Sequence, residues 1–217
     1  MEGLFVQRLT LNCAARARRA DCTAFARTDR PATLRPGLAE SWEQDAADPR
    51  EWIFRLRAGV TFHDGTPFNA DSAIWTMDRF FRTASPQFEA AGSAISRARV
   101  PILESYRQID ERMIGMRTNR VASHFPHMVV YPLMASPQSF EQGGRDWARV
   151  AALPPAGTAP FRLSRLLPRT SAELTRNDGY WGRARVPRLD RIVLLPRSAS
   201  WTTRPGRSSC MTSIRGR

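Results

Sequence analysis

Apolar residues in the segment 51–63 recur at every second position, which is the repeat of a β-strand. The residues that recur are Trp52, Phe54, Leu56, Val60 and Phe62. Gly59 interrupts the repeat, and Asp64-Gly65 ends it with a turn signal. The segment therefore predicts two short strands that pair as a hairpin.

The spacing changes to three and four residues after this turn, as in an amphipathic helix. Asn69 is suited to cap the first turn, and Asp71 places a carboxylate where the helix dipole favours it. The apolar positions are Ala73, Ile74, Met77, Phe80 and Phe81. We therefore predict a helix that begins after Asn69, has one apolar face and ends before Ser85-Pro86.

Shorter patterns cover the rest of the chain, and residues 88–103 show no clear period. Strands are predicted within 106–116 with a turn near Asp110-Glu111, after the loop 157–161, at 173–176 and at 192–195. Short helices are predicted within 125–134, which contains two prolines, and around Trp147. Strands and helices are mixed and some strands form hairpins, so the predicted fold class is mixed α/β (α+β).

Composition excludes several enzyme classes. The sequence has 33 basic residues besides histidine, and all are arginine because no lysine occurs. Phosphate-loop NTPases, protein kinases and Schiff-base enzymes all need a lysine, so these mechanisms are excluded. No hydrolase motif is present either, and we predict no catalytic residue and no enzymatic activity.

The net charge of +13 is concentrated at the two ends. Residues 1–35 carry +4 and residues 183–217 carry +8, whereas the middle carries only +1. Basic ends suggest a nucleic-acid-binding protein as an alternative, but they show no regular alternation of basic and aromatic residues of the kind that stacks on bases. We therefore predict three regions: a divergent basic segment 1–33, a folded region 34–196 and a divergent, disordered basic tail 197–217.

Several motifs of the folded region resemble those of the extracellular solute-binding proteins of ABC importers, family 5, which includes dipeptide, oligopeptide and nickel binders. The matching segments are Pro36-Gly-Leu-Ala-Glu-Ser-Trp42, residues 52–71, Gly157-Thr-Ala-Pro-Phe161, Arg176-Asn-Asp-Gly-Tyr-Trp-Gly182 and Leu189-Asp-Arg-Ile-Val193. They stand in the family's order and spacing within residues 34–196. Ala159 departs from the pattern, which has glycine there.

The resemblance implies part of the first lobe of a periplasmic-binding-protein type II fold, with the second lobe missing. It implies a monomer that captures a peptide or similar small solute for permease subunits, without a cofactor, a membrane span or a nucleic-acid partner. Family resemblance places the protein in the periplasm, whereas the first residues lack the basic and apolar regions of a signal peptide and taken literally indicate the cytoplasm. We expect a truncated copy with weak or absent binding.

The resemblance also suggests where a ligand would bind. It places the segment from Tyr131 to Met134 near the cleft, so Tyr131 and Met134 are the candidate ligand-binding residues, with core packing as the alternative. Arg97 and Arg99 are candidates for contact with an anionic ligand group, or else solvated surface charges.

Two other motifs have a chemical and a structural interpretation. His124 and His127 are three residues apart and can share a helix face, which leaves a nickel or other metal-chelate binder as a further alternative, although we predict no metal site. His63-Asp64-Gly65-Thr66 contains acid–base groups but stands between a strand and a capped helix, so we predict a turn.

Overall fold

The computed structural model describes residues 24–30, 33–151, 153, 156–167, 170–183, 186–195 and 211–213. Within them, the strands are β1 Ala26–Arg30, β2 Thr33–Pro36, β3 Ala39–Gln44, β4 Glu51–Leu56, β5 Leu103–Asp110, β6 Met113–Thr118, β7 Phe161–Leu167, β8 Ser171–Arg176, β9 Arg191–Leu195 and β10 Met211–Ser213. The helices are α1 Ala70–Phe81, α2 Ala90–Arg99, α3 Phe125–Met128, α4 Pro137–Gln142 and α5 Trp147–Val150. Strands and helices are mixed, so the predicted class is confirmed.

The larger core forms around an antiparallel sheet in the order β3-β4-β6-β5. Trp52, Phe54 and Leu56 of β4 are buried, and β4 pairs with β3 on one side and β6 on the other. The helix α1 packs against this sheet through buried residues such as Met77. Burial of these large side chains supplies most of the apolar stabilisation of the described chain.

The segment 36–42 begins with a close backbone contact to the residues before β1. β1 and β2 pair as an antiparallel hairpin, and Leu38 donates its backbone N–H to the carbonyl of Ala24 at 3.0 Å. A Cβ atom at Gly37 would lie 2.7 Å from that same carbonyl oxygen. Only glycine fits at this approach, which brings the fully buried Leu38 into the core.

The predicted hairpin over 51–63 is wrong in its second half. Residues 51–56 form β4, but the following segment pairs only through a single bridge between Thr61 and Pro67. Gly59 has φ +66° and turns the chain away, and both edges of β4 are already occupied by β3 and β6. Val60 and Phe62 are buried nevertheless, so their alternation reports burial and not strand pairing.

The helix predicted after Asn69 is confirmed. The side chain of Asn69 accepts the backbone N–H of Ser72 at 3.0 Å, and the Ser72 hydroxyl accepts the N–H of Asn69 at 3.0 Å. This reciprocal arrangement is a capping box, in which serine takes the place of the more usual acidic or amide residue.

The remaining predicted helices agree with the structure to different degrees. The segment without a clear period forms α2, in which only Ser93 and Ser96 are buried. The helix predicted over 125–134 is only the four residues of α3. Pro132 lacks a backbone N–H and disfavours helical geometry in Tyr131, so the helix does not continue. The turn near Asp110-Glu111 and the helix at Trp147 are found as predicted.

A second antiparallel sheet has the order β10-β9-β8-β7. Alternate residues of its strands form a separate small core: Leu163, Ala172, Leu174, Ile192 and Leu194. The strand β10 lies in the tail that was expected to be disordered, and it pairs with β9. The rest of that tail, and residues 1–23 and 31–32 of the segment 1–33, lie outside the described residues.

Replacing Asn69 with alanine tests the capping box. Asn69→Ala removes the acceptor for the N–H of Ser72, so we expect the free energy of unfolding to fall by about 1 kcal/mol. Asn69→Ser is the matched control because serine caps about as well as asparagine does and adds no charge beside Asp71. Urea denaturation followed by circular dichroism measures both variants. Equal stability of Asn69→Ala and the unmodified chain would contradict the assignment.

Candidate functional site

The turn after Phe62 is organised by the carboxylate of Asp64. Thr66 donates its backbone N–H to Asp64 Oδ1 at 3.1 Å and its hydroxyl to the same oxygen at 2.6 Å. Ser136 donates its hydroxyl to Oδ2, and Ser139 does so at 3.4 Å. Asp64 therefore joins the turn to the start of α4, which lies far away in sequence.

These hydrogen bonds decide the charge state of Asp64. Partial burial would raise the pKa of its carboxyl, but the hydrogen bonds from Ser136, Thr66 and Ser139 outweigh burial and hold the pKa below its usual value. A carboxylate that already accepts four hydrogen bonds and binds protons weakly is a poor general base. The arrangement is therefore suited to holding two segments together and not to acid–base catalysis.

The same turn contacts the loop before the second sheet. His63 donates its backbone N–H to the carbonyl of Gly157 at 2.8 Å, and its Nε2 lies 2.9 Å from the carbonyl oxygen of Ala159. The side chain of Asn177 donates to the Ala159 carbonyl as well, at 3.2 Å. The carbonyl groups of the loop 157–161 are thus held by main-chain and side-chain groups of the turn and of Asn177.

A cation–π pair adds to the junction, by which we mean the contact between the turn 63–66 and the loop 157–161. The guanidinium carbon of Arg57 lies 4.6 Å from the ring centroid of Trp181, and Arg57 also donates to the carbonyl of Gly37 at 3.2 Å. Trp181 packs against the larger core although it follows β8 of the second sheet. Three motifs that were identified separately in the sequence therefore meet at one place.

A shallow open cleft of about 290 Å³ lies beside the turn. It is lined by polar groups of the turn and of α1, by two prolines and by one indole: Thr66, Pro67, Asn69, Asp71, Ser72, Trp75, Pro137 and Gln138. The cleft combines one carboxylate and two amides with apolar walls, and it is open to solvent.

An aromatic cluster fixes the wall of this cleft. The ring centroid of Trp75 lies 5.7 Å from Phe140 of α4 and 6.2 Å from Trp147 of α5. The guanidinium carbon of Arg79 lies 3.7 Å from the centroid of Trp147, and Arg79 forms an ion pair with Glu89 at 2.6 Å. Because Arg79 is buried, this pairing is needed to offset the loss of its hydration.

The two predicted ligand-binding residues lie in different environments. Met134 is 3% exposed and belongs to the larger core, so contact with a ligand there would require the core to open. Tyr131 is 48% exposed, and the guanidinium carbon of Arg99 lies 4.8 Å from its ring centroid. The structure does not bring either residue into the lining of the cleft.

Arg97 and the two histidines are the remaining candidate residues. Arg97 donates to the carbonyl of Phe81 at 2.6 Å and to the hydroxyl of Ser93 at 3.2 Å, so it is used within the helices. His124 and His127 are both exposed. In the part of the chain that the structure describes, no group of three or more histidine, cysteine or acidic side chains is placed to hold a metal ion.

Sequence reasoning missed Ser136 and Ser139 as partners of Asp64. Their contacts are between distant segments, so no local spacing indicates them.

Among the described residues, no helix is long and apolar enough to cross a lipid bilayer.

Comparison with solved structures identifies the fold. The described chain resembles the Helicobacter pylori periplasmic binding protein DppA in complex with the peptide STSA, with a TM-score of 0.67 and 22% identity over 79% of this chain and 36% of that one. A dipeptide binding protein from Pseudoalteromonas in complex with Met-Leu gives a TM-score of 0.67 and 20% identity over 80% and 37%. The fold is therefore part of a periplasmic-binding-protein type II fold.

The family follows from the sequence. Residues 33–204 match the model of the bacterial extracellular solute-binding proteins, family 5 Middle, and the chain belongs to that family. Di/tripeptide-binding protein 4 of Pseudomonas aeruginosa is 32% identical over 76% of this chain and 33% of its own length. The chain spans about a third of the length of the curated relatives it matches. The resemblance predicted from the motifs is confirmed.

The role of Asp64 predicts acid sensitivity. Its folded-state pKa is lowered, so its contribution to stability is present above the ordinary carboxyl pKa of about 3.9 and is lost as the pH falls below that value. We expect Asp64→Asn to lower stability at pH 7 and to reduce the further loss between pH 5 and pH 3, measured as urea midpoints.

Glu43→Gln is the control for this experiment because Glu43 is an exposed carboxylate on β3. It should leave both the stability at pH 7 and the acid-induced loss unchanged. An acid-induced loss of the same size in Asp64→Asn and the unmodified chain would show that other carboxylates are responsible.

Proposed function

We propose that this chain supplies one wall of the ligand-binding cleft of an ABC importer's substrate-binding component, and that the solute is a short peptide or a similar small molecule. The observation that carries the proposal is the family match over residues 33–204. Several relatives bear the names of dipeptide- or oligopeptide-binding proteins, two of them periplasmic, which supports both the ligand class and a periplasmic site of action. The partners are permease subunits, and the protein acts as a monomer.

The geometry of the candidate site agrees with binding rather than with catalysis. The turn at Asp64 is saturated with hydrogen bonds, and the cleft beside it is open and mixed in polarity. Binding proteins of two lobes bury a ligand between them, and hinge residues absorb the closure. The contacts that one wall makes are therefore only part of the binding free energy.

The affinity of this chain for a peptide depends on how much of the contact surface it offers. The chain spans about a third of its relatives' length, so it offers only a part of the surface that a complete relative offers to a ligand. Each 1.4 kcal/mol of lost contact raises the dissociation constant tenfold. We infer that the chain on its own binds short peptides weakly or not at all, with Tyr131 and Met134 remaining the predicted contact residues.

Calorimetric titration tests this inference. The chain alone, titrated with Met-Leu and with a tripeptide, should give no dissociation constant in the micromolar range, because these residues offer only part of the contact surface of a complete relative. A micromolar constant would contradict the single-wall interpretation.

A chimaera tests the function itself. Residues 33–195 would replace the corresponding third of the Pseudomonas aeruginosa di/tripeptide-binding protein 4, with that unmodified protein as the control. We expect the chimaera to bind peptides because the remaining contacts are restored. A chimaera that folds, as judged by circular dichroism and a cooperative thermal transition, but binds no peptide would overturn the proposed function.

A further inference from the structure

We draw no further inference here: the strongest candidate, the open cleft beside the turn at Asp64, in which α1 places Asp71 and Trp75 one helical turn apart, belongs to the candidate site already described.

Discussion

The hydrogen bonds between the turn at His63 and the loop 157–161 determine how the two sheets are joined. Among the described residues, the strands β7 to β10 pack against one another and make no extensive contact with the larger core. The connection consists instead of three contacts. His63 donates its backbone N–H to the carbonyl of Gly157, and its Nε2 lies 2.9 Å from the carbonyl oxygen of Ala159. The backbone N–H of Ser136 donates to the carbonyl of Ala156 at 3.4 Å. Buried backbone groups must find partners, so these bonds set the path of the loop.

The junction and the larger core differ in the interactions that stabilise them. An intramolecular hydrogen bond contributes a net of roughly 1 kcal/mol, whereas burying a phenylalanine or leucine side chain contributes about 1.5–3 kcal/mol. The larger core buries many such side chains, but the junction relies on a few hydrogen bonds and on the cation–π pair of Arg57 and Trp181. The second sheet is therefore held to the larger core by fewer apolar contacts than those that hold the larger core together.

Local sequence patterns predicted α1 well because its signals are independent of the rest of the fold. Asn69 satisfies a backbone donor of its own helix, and the apolar spacing needs only one partner surface. The second strand of the expected hairpin failed for the opposite reason, because whether Val60 pairs depends on β3 and β6 having already occupied both edges of β4. Tyr131 and Met134 are close in sequence, yet one is exposed and the other buried. The break at Pro132 removes the periodicity that would have distinguished them.

The residues that identify the family are mainly those that build the junction. His63, Asp64 and Gly157 make contacts that the turn and the loop require, so a change at any of them disturbs the fold before it alters a ligand contact. Exposed residues such as Arg99 and Tyr131 can change without disturbing the core. Selectivity for a solute is therefore expected to depend on side chains outside the motifs. This explains why the motifs identify the family but carry no information about a solute.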